Sequence, residues 1–260
     1  MKLHESFLFI RMTIFSMALL FFCTPTMLFS FPQVSFWIDA ETGAAFTGYN
    51  DVQIPADTGT RFSLADDLNP EPVWFYRLQA GADIGRHSAF VLYAPLLVES
   101  TGTFSENTVF NGDTFVADRD VTGTFKFNSY RFTYAYTFVQ QPQFLFAAGL
   151  TGKIRDAYIK LEEDDSGDSK ERSNVGVVPL IHLKVQWFIS PQFSLLLEGD
   201  GLAAPQGRAE DFLIAGVYAP RPDMELRLGY RILEGGSDGG GSVYTFSMFH
   251  YATMGIRWKF

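Results

Sequence analysis

Acidic and basic side chains recur at alternate positions within otherwise apolar segments of this sequence. The ten residues at similar depth in these segments are Asp39, Glu41, Arg77, Arg131, His182, Lys184, Glu198, Asp200, Arg227 and Arg231. Because both signs are present in similar number, they can form paired ions in which each charge offsets the desolvation of another. The same set can instead form a charged ring that selects solutes, or a small-ligand site.

A period of two predicts that these side chains lie on β-strands. Apolar and polar residues alternate strictly in 224–232, and the pattern returns in 34–41 and 246–260. Further strands are expected at 73–84, 88–99, 123–138, 143–158, 175–188, 193–202 and 211–219. Two of these segments, 88–99 and 211–219, alternate poorly. Pro95 and Pro179 each remove a ladder donor, which predicts a β-bulge at each site.

The connections between these strands alternate in length. Short connections are expected at 85–87, 139–142, 189–192 and 220–223. Longer ones, rich in Gly, Asp, Asn and Ser, are expected at 47–72, 100–122, 159–174, 203–210 and 234–243. Such alternation is typical of an up-and-down barrel in an outer membrane, with tight periplasmic turns and longer external loops.

Composition agrees with this architecture and excludes several others. The chain holds 27 Phe, 11 Tyr and 4 Trp in 260 residues, so it is not intrinsically disordered. Beyond residue 31 no uncharged apolar run is long enough for a membrane-spanning helix. A net charge of −9 argues against nucleic acid as a partner.

The two strand faces distinguish a membrane barrel from a soluble one. One face is apolar and carries aromatic residues near its ends, as in 130–138, while the other face is ionic. We therefore predict an all-β fold, a transmembrane up-and-down antiparallel β-barrel of about ten strands; eight or twelve stay open because two segments are ambiguous. Since ten strands enclose a modest interior, paired charges are favoured. Arg131→Ala or Glu198→Ala is then expected to lower heat stability.

The N-terminus has the features of a secretory signal peptide. Lys2 and Arg11 form a basic start that leads into the apolar segment 12–23, Pro25 ends it, and Ser30 is a small residue at a plausible cleavage point. We therefore divide the chain into a signal peptide, 1–30, and an outer-membrane β-barrel domain, 31–260. A lipid-modified Cys23 and an uncleaved anchor helix are the alternatives.

The last seven residues, Met-Gly-Ile-Arg-Trp-Lys-Phe, resemble the C-terminal β-signal of bacterial outer-membrane β-barrel proteins. The match rests on alternating apolar residues, an aromatic residue two before the end and a terminal Phe. The resemblance implies recognition by the barrel-assembly machinery, with Tyr251, Ile256, Trp258 and Phe260 as the assembly signal. Segments 228–236 and 250–252 are similar to small outer-membrane barrels without an assigned activity.

The histidines give little support for catalysis. His87 is expected in a turn, His182 deep in the interior and His250 facing lipid. Ten strands is also the count of the omptin proteases, a family that would imply Asp-Asp and Asp-His pairs at the outer rim, but no Asp-x-His spacing occurs here. We expect no catalytic residues, metal or cofactor. The acidic tract 162–168 lacks the spacing of a calcium-binding loop and is expected to be a mobile, solvated loop.

The predicted function is therefore a structural or small-solute passage role in the outer membrane, with external loops available for binding. One alternative is a surface-facing enzyme that modifies lipid or peptide. Another is an adhesin-like barrel whose activity lies in loops 47–72 and 100–122. The expected partners are outer-membrane lipids and lipopolysaccharide, the barrel-assembly machinery and periplasmic chaperones, with no nucleic acid, and the barrel is expected to be a monomer.

Overall fold

The computed structural model describes residues 34–238, 240 and 242–260. The predicted signal peptide, 1–30, lies outside these residues. Within these residues the chain forms fifteen strands: β1 (Val34–Gln53), β2 (Phe62–Ser63), β3 (Asn69–Pro70), β4 (Val73–Ile84), β5 (His87–Ala94), β6 (Leu97–Thr103), β7 (Thr108–Phe110), β8 (Asp113–Phe115), β9 (Asp120–Gln141), β10 (Phe144–Glu163), β11 (Ser169–Phe188), β12 (Phe193–Ala204), β13 (Gly207–Arg221), β14 (Met224–Asp238) and β15 (Tyr244–Lys259). None of the described residues forms a helix that could span a membrane.

Ten strand positions close into one antiparallel barrel. Sequential neighbours pair from β9 to β15, β15 pairs with β1, β1 with β4, and β4 with β5, which returns to β9. β5 and β6 occupy one position, because both pair with β9 and residues 95–96 separate them. The count of ten is thus confirmed, and eight and twelve are wrong. Pro95 interrupts its strand, but Ala94 pairs with Ser129 and Leu97 with Lys126 in one continuous register, so the β-bulge expected at Pro95 is wrong.

The connections differ from the sequence prediction at one end of the barrel. At the end that carries both termini, here the terminal end, the turns are short, as expected: 85–86, 142–143, 189–192 and 222–223. At the opposite loop end, the expected long connection 203–210 is wrong, because β12 and β13 pair as far as Ala204 and Gly207. Likewise β10 and β11 pair as far as Glu162 and Ser169. The strand pairing continues beyond the residues in which one face is apolar. The alternation of apolar and polar residues therefore underestimates the length of the strands.

The two longest connections form a hydrophobic core over part of the barrel mouth. Connection 54–72 brings in Phe62, Leu64 and Leu68, and connection 104–119 brings in Phe110 and Phe115, all buried. They pack against inward residues of the strands beneath, including Val121, Phe125, Leu161 and Phe249. The Phe62 ring lies edge-on to the Phe110 ring at 5.8 Å between centroids. These connections are therefore a packed wall and not loose loops.

Candidate functional site

Asp211 is the centre of the charged interior. It projects inward from β13 and is 2% exposed. Arg231 donates to its Oδ1 at 2.5 Å, and its Oδ2 accepts from Arg131 at 2.5 Å and from Arg77 at 3.0 Å. One carboxylate thus receives charge-assisted hydrogen bonds from three strands on different sides of the lumen.

Asp200 extends the network on the β11–β12 side. Its Oδ2 accepts from Arg131 at 2.6 Å, and its Oδ1 lies 2.7 Å from the Thr151 hydroxyl and 3.0 Å from His182 Nδ1. The Thr151 hydroxyl in turn lies 2.7 Å from that of Thr133. His182 is therefore an internal member of a polar network, at the depth that the sequence predicts.

Two further acids complete the set toward the terminal end. Glu41 receives both Nε and Nη2 of Arg231, at 2.7 and 2.8 Å. Asp39 receives two hydrogen bonds from Arg227, each 2.5 Å, and one from Arg257 Nε at 2.8 Å. The Arg257 guanidinium also lies over the Trp37 ring, 4.3 Å from its centroid.

Lys184 and Glu198 stand apart from the tight contacts. Their side chains lie 3.7 Å apart, and Glu198 is 3.9 Å from His182 Nε2. All ten residues singled out from the sequence project into the lumen, and eight are buried, with Lys184 and Glu198 partly exposed.

Sequence reasoning missed the most connected residue, Asp211. Segment 211–219 alternates poorly because its inward Leu213, Ala215 and Val217 are apolar too. They pack with Leu196 as a small second core. Arg257 was visible as an inward position of the last strand but was not joined to the set. The sequence contained the information for both residues, because each is a charged residue at an inward position of a strand.

The network closes the lumen at its middle. The void among Glu41, Arg77, Arg131, His182 and Glu198 has a volume of about 30 Å³. Since a void of about 10–15 Å³ holds one water molecule, this one has room for about two. Within the described residues, no group of three or more His, Cys, Asp and Glu side chains is arranged to hold a metal ion.

We call this closed network of charged side chains the plug. A much larger cavity lies on its loop side. Its volume is about 640 Å³. Inward side chains of β9 and β10, the β12–β13 turn, and the loop-side halves of β11, β14 and β15 line it. The wall combines apolar residues such as Phe125, Ile159 and Phe249 with cationic ones such as Lys153 and Arg155.

A cluster of charged and polar residues lies at the rim of this cavity. It is closer to the loop end than Tyr230 and His250, which lie on the barrel exterior. Arg208 donates to Glu234 at 2.7 and 2.8 Å, and the Tyr49 hydroxyl also bonds Glu234. Burial opposes ionisation of Glu234, but hydrogen bonds from Arg208 and Tyr49 outweigh it and hold its pKa below the ordinary value of 4.5. Burial and the hydrogen bond to Glu234 raise the pKa of Tyr49 to about 12.

The barrel exterior is apolar over a broad band. Large hydrophobic side chains are exposed on every strand position, among them Leu150, Ile214 and Leu228, which are 70%, 59% and 72% exposed. Aromatic rings flank the band, with Trp187, Phe193 and Tyr218 toward the terminal end and Trp74 and Tyr76 toward the loop end. A closed ladder with apolar exterior and ionic interior satisfies every requirement of a membrane-spanning strand protein.

The protein is an outer-membrane β-barrel. Its location follows from the fold, because barrels of this kind reside in the outer membrane.

Comparison with solved structures returns other outer-membrane barrels at low similarity. Neisserial surface protein A shares 17% identity over 88% of this chain and 99% of its own, with a TM-score of 0.35. Outer membrane protease OmpT from Escherichia coli shares 8% over 91% and 99%, with a TM-score of 0.48. The attachment invasion locus protein Ail of Yersinia pestis shares 12% over 86% and 98%, with a TM-score of 0.37. No protein-family model and no curated protein matches the chain.

His182 and His250 lie where the sequence places them, whereas His87, expected in a turn, is the first residue of a strand. His87 begins β5 next to a terminal-end turn, where its Nδ1 lies 2.7 Å from the Tyr134 hydroxyl. His250 lies on the outer face of β15, with its Nδ1 2.5 Å from the Tyr230 hydroxyl. Neither lines the large cavity.

The four residues of the assembly signal do not share a face of the barrel. Ile256, Trp258 and Phe260 lie on the exterior, 38%, 38% and 70% exposed. Tyr251 points inward and is buried edge-on against Phe75 at 4.8 Å. The acidic tract 162–168 is the end of the β10–β11 hairpin, where Glu163 is buried and accepts from Arg119 at 2.7 Å.

Proposed function

We propose that this barrel binds a small molecule in the cavity at its loop end and does not conduct solutes along its axis. The observation that carries the proposal is the contrast between a void of about 30 Å³ in the plug and a cavity of about 640 Å³ above it. Ligand sites for small molecules have volumes of about 300–1,000 Å³ and combine an apolar lining with a few polar groups.

The plug and the packed connections support a preformed site. Asp211 and its three arginines make a rigid floor, because each buried charge is held by partners on other strands. The core around Phe62, Phe110 and Leu161 fixes the wall. A preformed cavity binds with less loss of conformational freedom than loops that must order.

Planar-bilayer recording tests the closed axis. We expect the refolded protein to show no discrete openings, in a bilayer where a conducting porin gives steady current. Ohmic openings from the wild-type barrel would contradict a closed lumen and restore solute passage as the function.

Filling the cavity tests its occupancy. Ala157 lines the cavity and points inward from β10, so the larger side chain of Ala157→Trp reduces the volume that is available to a ligand. We expect 1-octanol, an uncharged apolar probe, to raise the unfolding temperature of the wild type in detergent and to have less effect on Ala157→Trp. Ala252→Trp, on the exposed outer face of β15, is the matched control and should respond like the wild type.

The alternatives receive less support. His182 and Asp200 form a histidine–carboxylate hydrogen bond of the kind that occurs in catalytic sites. The void beside them, however, has room for water and not for a lipid or peptide substrate. The connections proposed for an adhesin are folded into a core. We retain lipids and lipopolysaccharide at the apolar exterior, the barrel-assembly machinery, periplasmic chaperones and a monomeric state as proposals.

A further inference from the structure

Three cations of the cavity lack a carboxylate partner within the described residues. Lys153 is 2% exposed and lies over the Phe127 ring, with its Nζ 4.5 Å from the centroid. Arg155 bonds the amide oxygen of Asn174, and its Nε is buried with no hydrogen-bond partner. Arg172 reaches only the Ser242 hydroxyl, at 3.4 Å. Other cations of the interior, such as Arg131 and Arg208, are paired with acids, whereas these three have no carboxylate at ion-pair distance among the described residues.

The cations share one wall of the cavity. In the β10–β11 ladder Lys153 pairs with Val178, Arg155 with Gly176 and Ile159 with Arg172, so the charges ascend the same pair of strands. Apolar side chains line the cavity as well: Phe125 lies on the neighbouring strand β9, next to Ile159, and Leu233 and Phe249 lie across the cavity from the cations. A ligand that contacts both sets of side chains carries an anionic group and an apolar body.

The barrel wall has a notch next to the cationic side. β11 pairs with β12 only from Ile181, opposite Gly201, so its residues 169–180 have no neighbour on that side. The β12–β13 hairpin ends at the turn 205–206, far below the tip of the β10–β11 hairpin. Pro179 lies two residues before the pairing of β11 with β12 begins. Its pairing with Gly152 of β10 shows no shift in register, so the bulge expected at Pro179 is wrong. The proline instead has no N–H to offer to a missing neighbour.

The notch connects the cavity with the apolar exterior. Residues on both of its edges, including Val178, Pro179 and Gln206, also line the cavity. Val175 and Val177 on the outer face of β11 are 69% and 78% exposed beside it. The notch therefore opens beside apolar side chains of the barrel exterior.

We propose that the cavity binds an organic anion with an apolar body, and that the notch admits this molecule sideways from the outer leaflet. The anionic group contacts Lys153, Arg155 and Arg172. The apolar body lies against Phe125, Leu233 and Phe249 and extends toward the notch. This inference rests on the proposed binding function of the cavity.

Matched eight-carbon probes test the charge preference. We expect octanoate to bind at least tenfold more tightly than 1-octanol, and octylammonium to bind most weakly, by calorimetric titration of the detergent-solubilised barrel. Each cation changed to Gln should weaken octanoate binding about tenfold, the worth of one charge-assisted hydrogen bond, and leave 1-octanol binding unchanged. Arg61→Gln and Arg119→Gln, exposed cations paired with Asp51 and Glu163 outside the cavity, are the controls.

The outcomes separate the two proposals. If 1-octanol and octanoate bind equally and the three variants bind both normally, the anion preference is wrong while the cavity function stands. If neither probe binds and Ala157→Trp changes nothing, the cavity function itself fails.

Photo-crosslinking tests the lateral route. Hexadecanoic acid with a diazirine near the chain end is added to the barrel in phosphatidylcholine nanodiscs. We expect crosslinks at Val175 and Val177 that unlabelled hexadecanoate displaces and that Ala157→Trp reduces. Crosslinks spread evenly over the exterior and not displaced would overturn the lateral route. Displaceable crosslinks confined to residues 54–72 would overturn it too, and would assign access to the water side.

Discussion

At the scale of single residues, the charges of the plug are costly to bury, and they are closely paired with charges of the opposite sign. A buried charge is tolerated only when its partners are in place, and removal of one partner leaves the others uncompensated. Asp211 illustrates this, because it is the shared acceptor for Arg77, Arg131 and Arg231. The structure therefore ranks the charged residues by the number and closeness of their contacts, which sequence position alone does not do.

Arg131→Ala and Glu198→Ala are expected to differ in effect. Arg131 makes bonds of 2.5 and 2.6 Å to two buried acids, so its loss should lower the free energy of unfolding by about 3–5 kcal/mol. Glu198 makes only contacts of 3.7 and 3.9 Å, and its loss should cost less. Thermal unfolding in detergent, followed by near-UV circular dichroism, measures both. Equal unfolding temperatures for the two variants would count against the ranking.

The rim cluster around Glu234 gives a dependence on pH. Its pKa in the folded state lies below 4.5, so the ionised carboxylate stabilises the fold above that value, and this contribution is lost as pH falls through the folded pKa. We expect Glu234→Gln to lower the unfolding temperature at neutral pH and to lose less on acidification to about pH 3 than the wild type does. Glu71→Gln, an exposed position, is the control. Identical acid sensitivity in Glu234→Gln and the wild type would contradict the assignment.

At the scale of strands, closure of the barrel depends on the seam between β1 and β15. The two strands pair from Trp37 with Lys259 to Gln53 with Tyr244, with one register shift at residues 47–49. Gly43 lies in this seam at φ +147°, and a Cβ there would stand 2.0 Å from the Ala252 carbonyl oxygen. The close approach of the two backbones thus requires a residue without a side chain.

Gly43→Ala is expected to loosen this seam. Strain of this kind costs about 1–3 kcal/mol, which thermal unfolding of the refolded barrel should register. Gly152→Ala is the matched control, since no atom lies within 4 Å of a Cβ built there. A Gly43→Ala barrel as stable as the Gly152→Ala barrel would show that the seam accommodates the methyl group.

At the scale of the whole molecule, we propose that stability in the membrane and delivery to it depend on different residues. Phe260 donates its backbone N–H to Phe36 at 2.8 Å, while its ring is 70% exposed and makes little internal packing. The ring is therefore free to serve in recognition during assembly, as the resemblance of the C-terminus implies.

Phe260→Ala should separate assembly from stability. We expect less barrel in the outer membrane of expressing cells, measured by the heat-sensitive gel mobility of folded barrels, with little change in the unfolding temperature of refolded protein. Phe36→Ala removes a ring that is 58% exposed at the same end of the barrel and should assemble normally. Equal assembly of the two variants would remove the assembly role from Phe260.

The sequence by itself determined the class of fold, the strand count and the inward direction of the ten charged residues. It could do so because period two assigns each side chain to one face, whatever its distant neighbours are. Segment 211–219 escaped this reasoning because both of its faces are partly apolar, and Asp211 was missed with it.

Only the tertiary structure decided which charges meet, where the lumen closes and where a cavity remains. Arg231 and Glu41 are 190 residues apart in sequence, yet they are in contact, because only β15 separates their strands in the barrel. The notch likewise depends on how far each hairpin rises, which is set by ladder pairing beyond the apolar band. These features arise from the register of strands around a closed cylinder, and register is a property of pairs of strands that no single segment carries.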